Sequence, residues 1–587
     1  MSTPTDEFWT RARVAELNRR NGRGDAAPRP AAPTPASAPA TRLMLTPELA
    51  TDRPSDSARA NSELARSRQM IEQATWAART YGGYDKASVD RIVRAVAEAA
   101  AAKAEEYAEW AVRETTFGVV EHKVRKNLAC SVGLLEEYAG DDFVTPRVDD
   151  RAKIVEVPRP AGVVLALTPS TNPVATTYFK TILALMTRNA VVISPHPFAK
   201  EVCAAAAHTL AEAAEAAGAP AGIVQCVENP TVPLVESLMA DKRVGTIVAT
   251  GGTAMVRAAY SSSNPALGVG PGNVPVLVDA TADLRLAAAR IVESKAFDNS
   301  VLCTNESVLI VEESVADELL RHMAREGAHV LTEEEGEQLT AYMFPMGRLN
   351  TDVVGKDAAL IAQAAGIRSG AATKVLLAPL DAALPELMMT HEKLSPVLAV
   401  LRVPDVGRGI EAARSIVRIA GAGHSAAVHS TNPVTILRFT ADVPVLRVSV
   451  NVGNSTGSSG LDTNLAPTMT VGTGFVGHSS IGENLEPRHL LNWARIAYNN
   501  DPSEAMPSFH GLSPWRAPAR TVPAYPWPSN DRRPGAARAV GARAPGAVVD
   551  QVISSVAQRV DVSGDTDALR AEIRRLVASE LSQLLKG

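Results

Sequence analysis

Between Gly162 and Thr250 the sequence carries four short apolar runs: "GVVLAL" (162–167), "AVVIS" (190–194), "GIVQCV" (222–227) and "VGTIVAT" (244–250). None shows the apolar–polar alternation of a half-solvated strand. Each must therefore be buried on both faces, the pattern of a parallel sheet covered by helices. Helical stretches fall between the runs, at about 175–186, 200–217 and 233–240. Repeated strand–helix units of this kind predict a doubly wound α/β layout, with a ligand crevice at the carboxyl ends of the strands. A second set of such units begins after Asp279 and runs to about Val450, and a helical region precedes both.

At 587 residues the chain is too long for one ordinary core, so two large folded units plus accessories are expected. Aromatics are scarce at 4% and alanine runs are many, so the interiors should be built from Ala, Val, Leu and Ile. A Pro/Ala linker occupies residues 26–40, and a second loose, Pro- and Arg-rich stretch runs from about Ser508 to Gly546. The net charge of −5 gives no general reason to bind nucleic acid. The start of the chain lacks a basic-then-apolar signal pattern, and no apolar run is long enough to cross a bilayer. The four cysteines lie far apart with no CxxC pair, which argues against a zinc site or disulfide framework and favours a reducing interior. These observations predict a soluble, cytoplasmic protein.

One cysteine differs from the others. Cys303 sits in "AFDNSVLCTNES" (296–307), among Asp, Asn, Ser and Thr, where a buried structural cysteine would have apolar neighbours. It reads as a nucleophile. Cys130 and Cys203 lie in Ala/Leu-rich helical patterns and Cys226 in a Val-rich strand, so these three read as structural. In "ATGGTAMVRAAY" (249–260), Gly251 and Gly252 follow a strand and precede a helix. Glycines there either let the backbone approach a phosphate or merely shape the turn, and the residues leave both readings open. In "LTPSTNPVATTYFK" (167–180), Asn172 follows another strand, just before Pro173. A helix cap is its commoner role. The alternative is an amide donor aimed at an oxyanion.

"TNPVATTYFKTILALMTRNAVVISPHP", "GVGPGNVPVLVD", "AFDNSVLCTNES" and "HEKLSPVLAV" occur in that order at suitable spacings. Together they resemble the aldehyde dehydrogenase superfamily, its CoA-acylating branch in particular, over about residues 61–500. The resemblance implies two doubly wound α/β domains, a Rossmann-like cofactor domain and a catalytic domain. It implies that Cys303 is the catalytic thiol, Asn172 its oxyanion-stabilising amide and Glu392 the acid that contacts the nicotinamide ribose. Gly251 and Gly252 fall in the cofactor's phosphate loop, Thr168 and Pro169 beside it, and Ser194 and His196 where the family contacts the adenosine ribose. His196 stands where many hydrolytic relatives have a lysine-containing motif, so NAD is expected while NADP stays open. Hydrolytic members use a glutamate to activate water. The matching stretch here, "LGVGPGN" (267–273), holds no acid, so coenzyme A is the expected acyl acceptor. Glu293 is the nearest acid, in a helical pattern that should face solvent, and His478 reads as a solvated loop histidine.

The expected activity is oxidation of a short-chain aldehyde, propionaldehyde or acetaldehyde, to its acyl-CoA. The alternatives are a hydrolytic dehydrogenase giving the free acid, and a catalytically idle scaffold or shell adaptor. The expected divisions are an N-terminal extension (1–60), a cofactor domain (61–279), a catalytic domain (280–450), a return segment for oligomerisation (451–507), a linker (508–547) and a helical tail (548–587). The tail places Leu569, Ile573, Leu576, Val577, Leu581, Leu584 and Leu585 on one helix face. That arrangement resembles the encapsulation peptides of bacterial microcompartments, implying a shell protein as partner and a microcompartment as location. A homo-oligomer, dimer or tetramer, is implied as well, with no metal, nucleic acid or membrane partner.

Overall fold

The computed structural model describes residues 56–518 and Tyr525; the amphipathic segments near the start of the chain and at 548–587 lie outside the described residues. Helices open the described region: α1 (Asp56–Tyr81), α2 (Lys86–Ala102), α3 (Ala104–Thr115), α4 (Val120–Ala129) and α5 (Val132–Glu137). The single long helical pattern of the sequence divides at Lys103 into α2 and α3. Asp85 caps α2 by accepting from the Ser88 N–H, which satisfies one of the free donors at the helix start.

The alternating units then form as expected. Strands β3 (Val163–Thr168), β4 (Ala190–Pro195), β5 (Val224–Cys226), β6 (Val244–Thr250) and β7 (Ala266–Val269) make one parallel sheet in the order β5-β4-β3-β6-β7. Helices α6 (Pro173–Met186), α7 (Lys200–Ala216), α8 (Val232–Ala240) and α9 (Thr253–Ser261) connect them. Every residue of β3 and β4 is buried, which is why neither run alternates with polar residues. The chain winds from β3 outward to β5, then returns to the other side of β3 at β6. The strand order thus reverses between β3 and β6, where the turns holding Asn172 and Gly251 emerge.

The second sheet has seven parallel strands in the order β10-β11-β12-β9-β8-β13-β14. They are β8 (Val274–Val278), β9 (Glu306–Glu312), β10 (Ala328–Val330), β11 (Val375–Pro379), β12 (Val397–Val403), β13 (Ala426–His429) and β14 (Val448–Val450). The chain therefore changes sheets between Val269 and Val274, ahead of the expected division at 279. The apolar run "VPVLV" has the same appearance in either sheet, so only pairing assigns it. A third, antiparallel sheet joins β1 (Arg147–Asp149), β2 (Ile154–Pro160) and β15 (Leu491–Ala497). Residues 508–518, placed by composition at the start of a linker, are bound to the helical region instead. Arg516 bridges Tyr84, the Asp85 N–H donates to the Arg516 carbonyl (3.1 Å), and Trp515 Nε1 donates to the Val144 carbonyl (2.8 Å). The Trp515 ring also covers the buried guanidinium of Arg188 at 4.1 Å. Among the described residues no helix is long and apolar enough to cross a membrane.

Candidate active site

Helix α10 (Leu284–Ala296) ends in a tight turn, Phe297–Ser300, which leads to Cys303 and into β9. Asp298, Asn299 and Ser300 have φ of 51°, 50° and 63°. Side chains with a Cβ avoid this left-handed region, and each such residue costs on the order of 1–3 kcal/mol unless its surroundings impose the conformation. Here they do. Asn299 donates to Asp357 Oδ1 (2.8 Å), Ser300 donates to the Lys295 carbonyl (2.5 Å), and Asp298 accepts the Val119 N–H (2.7 Å).

Buried polar bonds fix the other side of Cys303 too. Thr304 donates to the Ser455 carbonyl (2.9 Å), and Asn305 donates to the Ser294 carbonyl (3.0 Å) and Ser455 Oγ (2.9 Å). The Glu306 carboxylate accepts from Ser294 Oγ and the Asn454 N–H, both at 2.7 Å. Lys295 Nζ donates to Asn305 Oδ1 (2.6 Å) and the Glu306 carbonyl (2.7 Å). Enclosure lowers the pKa of the Lys295 ammonium and raises that of the Glu306 carboxyl.

Asn172 stands at the head of α6 but makes no side-chain cap. Its Nδ2 instead donates to the Val301 carbonyl, two residues before Cys303, and to Thr171 Oγ1, both at 3.3 Å. Its Oδ1 accepts from Lys126 Nζ at 2.5 Å. The commoner cap reading therefore fails, because Asn172 is drawn into a contact between residues 129 positions apart. Cys303 itself is partly exposed, whereas Cys130, Cys203 and Cys226 are buried. Close packing around the Cys303 sulfur and the nearby Glu392 push its thiol up to about 12, against the pull of its own N–H and the Arg447 charge. As it stands, the site holds a protonated thiol at neutral pH. A positive charge brought close would be needed to ionise it.

Gly272 lies against Cys303. A Cβ at position 272 would fall 1.9 Å from the Cys303 carbonyl oxygen and 3.4 Å from His424 Cε1. Only glycine allows this approach. Glu392 is half-buried, and desolvation of its carboxyl raises it to about 8, against the pull of Lys295, Lys393 and the Gly272 N–H. His424 is fully buried and kept neutral, lowered to about 3 by burial and by Arg447. Its Nδ1 meets Ser425 Oγ at 3.0 Å and its Nε2 has no hydrogen-bond partner. Arg447 donates to the His424 and Gly423 carbonyls at 3.1 and 3.0 Å. The sequence reading passed over Lys123, Lys126, Asp298, His424 and Arg447.

The residues expected to hold a dinucleotide gather where the strand order reverses, the place at which open α/β sheets bind such ligands. Gly251 faces open space, with nothing within 4 Å of a Cβ placed there, and Gly252 begins α9. The Thr168 hydroxyl is turned to buried Cys203 Sγ (3.9 Å), so this residue offers its backbone, and its carbonyl accepts the His196 N–H (2.9 Å). Ser194 is buried and Pro169 half-buried at the neighbouring strand ends. The His196 ring accepts the Phe198 N–H (3.2 Å), and burial lowers it to about 4. A helix N-terminus, a glycine facing open space and the strand reversal together fit a dinucleotide's phosphates. Glu293 and His478 are both exposed, as expected.

A seven-stranded and a five-stranded parallel sheet, with a cysteine set in buried polar bonds and tied through Val301 to the turn after β3, define a class of α/β fold. Residues 56–463 match the aldehyde dehydrogenase family, and the chain belongs to it. It is 36% identical over 434 residues to the bifunctional aldehyde-alcohol dehydrogenase AdhE of Escherichia coli K12, covering 73% of this chain and 49% of that protein. The chain thus spans about half the length of the curated relatives it matches first. Among solved structures, an acetylating aldehyde dehydrogenase from Geobacillus thermoglucosidasius superposes with a TM-score of 0.74 at 36% identity, covering 77% of this chain and 99% of that one. A propionaldehyde dehydrogenase from the Clostridium phytofermentans fucose utilisation bacterial microcompartment gives 0.67 at 28% identity, with 74% and 97% covered.

Proposed function

We propose that the protein is an acylating aldehyde dehydrogenase, oxidising a short-chain aldehyde with NAD and passing the acyl group to coenzyme A. Once the positive nicotinamide ring lies close and the thiol proton has passed to solvent, Cys303 Sγ attacks the aldehyde carbon, giving a thiohemiacetal whose oxygen carries the developing charge. Asn172 Nδ2 and the Cys303 N–H donate to that oxygen. Nδ2 is suited to this because its two present bonds are long and readily exchanged for a stronger one to an anion. NAD, when bound, accepts the hydride as the thiohemiacetal becomes a thioester on Cys303. The reading also places Glu392 near the nicotinamide ribose, with Gly251, Gly252, Thr168, Pro169, Ser194 and His196 around the rest of the dinucleotide.

The observation that carries the acylating reading is the Gly272 contact. The loop facing Cys303 holds no acid, and at its closest point there is no room for any side chain. That loop supplies water with no base. A thiol nucleophile needs less help, because it ionises far more readily than water. The coenzyme A sulfur then bonds to the acyl carbon, the Cys303 thiolate leaves, and the thiol proton passes to solvent. NAD is favoured over NADP because His196 is held neutral and supplies no charge for a 2′-phosphate.

In the same reading, residues 548–587 dock a microcompartment shell protein and the enzyme body forms a homo-oligomer. The relative from a bacterial microcompartment supports the first of these. The deciding experiment is NADH formation from propionaldehyde, with and without coenzyme A, on the wild type and Cys303→Ala. Coenzyme A-dependent NADH and propionyl-CoA that vanish in the variant support the proposal. Equal turnover to propionate without coenzyme A overturns it, as does the absence of turnover across several aldehydes.

A further inference from the structure

At the Oδ1 end of the Asn172 amide, three ionic side chains are packed out of solvent. Asp298 is 0% exposed, Lys126 1% and Lys123 3%. Asp298 Oδ2 accepts from both ammoniums, at 3.0 Å from Lys123 and closer still from Lys126. Lys123 also donates to the Thr171 carbonyl (3.1 Å), and Lys126 to Asn172 Oδ1 (2.5 Å). Burial lowers Lys126 to about 8 against the pull of Asp298, so at neutral pH two cations and one anion leave a net positive charge inside the protein. Enclosing such a group is costly, and apolar residues of the same volume would fill the space more cheaply.

The direction of one bond suggests what the cluster does. A side-chain amide presents an oxygen and a nitrogen of nearly equal size, and either end could face the reacting carbonyl. An ammonium donates hydrogen bonds and accepts none. With Lys126 fixed on one side, Asn172 must turn Oδ1 toward it and Nδ2 toward Val301 and Cys303. We propose that Lys126, anchored by Asp298 and Lys123, is a positioning residue that fixes which end of the Asn172 amide faces the reacting carbonyl. Its charge also draws electron density toward Oδ1 and makes Nδ2 a stronger donor. The left-handed Asp298–Ser300 segment belongs to the same device, since Asp298 links the lysines directly to the turn before Cys303.

This inference rests on Asn172 acting as the oxyanion donor, and the test separates the two. Asn172→Ala, Lys126→Met and the double variant are compared with wild type in two reactions. One is coenzyme A-dependent NADH formation from propionaldehyde. The other is alkylation of Cys303 by iodoacetamide, which forms no oxyanion. Asn172→Ala is expected to lower kcat about 100- to 1000-fold, the usual loss for one oxyanion donor. Lys126→Met is expected to lower kcat about 100-fold, the scale of a misplaced catalytic group. The double variant should be no slower than Asn172→Ala, because Lys126 acts only through it. Alkylation should stay within about twofold of wild type throughout, since the thiol's own access is untouched.

Lys126→Gln retains a hydrogen-bond donor, one bond shorter and uncharged, and should recover part of the loss. If Lys126→Met does not fold, Lys126→Gln takes its place in the cycle, with a smaller loss and the same non-additivity. Multiplying effects in the double variant, or equal falls in turnover and alkylation, would show a general structural role and overturn the inference. Full turnover of Lys126→Met beside an active wild type sinks this inference alone. An inactive wild type sinks the functional reading and this inference with it.

Discussion

Around β3, β4 and β6 the interior is mostly Val, Ile, Leu and Ala, with Cys203 enclosed among them and one buried lysine, Lys180, donating to the Leu167 and Val248 carbonyls. Around residues 294–306, at equal depth, the buried positions hold Ser294, Lys295, Asp298, Asn299, Ser300, Thr304, Asn305 and Glu306, beside three apolar residues, Phe297, Val301 and Leu302. The first region is held by apolar burial, which is non-directional and tolerates exchanges of similar volume. The second is held by hydrogen bonds that have one geometry each, and an unmatched partner there is expensive. The difference teaches where this protein spends stability on precision. The sheet sets the position of the crevice coarsely, and the polar network sets the place of a single sulfur finely.

The largest effect expected from this contrast is on catalysis by the two cysteines. Cys303→Ala should lower turnover by about 10⁵-fold or more, as removal of a nucleophile does, whereas Cys203→Ala should leave kcat unchanged. A comparable loss from both, in steady-state NADH assays, would dissolve the contrast. Next comes stability in the polar region. Glu306→Ala removes the acceptor of Ser294 and Asn454 and leaves Lys295 without its nearby carboxylate. A loss of about 3–5 kcal/mol is expected from breaking a buried ionic group of this kind, and denaturant unfolding would measure it.

Gly272→Ala should reduce kcat about 100-fold through displacement of Cys303, with a cost of that order for a shift near 1 Å. An active Gly272→Ala enzyme would mean that the loop yields easily. The state of the thiol gives a prediction in pH. Because Cys303 is pushed up to about 12, the thiolate fraction grows through the whole range from pH 7 to 10. Alkylation without cofactor should therefore rise about tenfold per unit, with no plateau. Saturating NAD should move the profile to lower pH, and an early plateau without NAD would contradict the assigned environment. The smallest effect belongs to the apolar sheet. Ile193→Val, in fully buried β4, should cost about 0.5–1.5 kcal/mol and leave the kcat of the folded enzyme intact.

The same contrast explains how much the sequence discloses. The strand from Val244 to Thr250 is legible to the residue, because a run buried on both faces leaves a local trace. Cys303 stands apart from the other cysteines because the stretch around it is rich in Asp, Asn, Ser and Thr. Lys123 and Lys126 are not, since in "VEHKVRKNLA" they look like the charged face of a surface helix. Their partner Asp298 lies more than 170 positions away. Their spacing of three residues on one helical face, matched to an acid in the cysteine's own turn, was the only local hint. His424 and Arg447 had none. Each becomes meaningful only when the second sheet brings β13 and β14 beside the loop at Gly272.

Gly272 also bears on the routes open to this chain over time. Adding the smallest side chain at that position puts an atom inside the nucleophile's carbonyl, so a base for water cannot be introduced there by one codon change. A side chain could appear at that position only if the loop moved and Cys303 moved with it. The missing side chain thus acts as a ratchet, keeping this point of the loop bare for as long as Cys303 keeps its place.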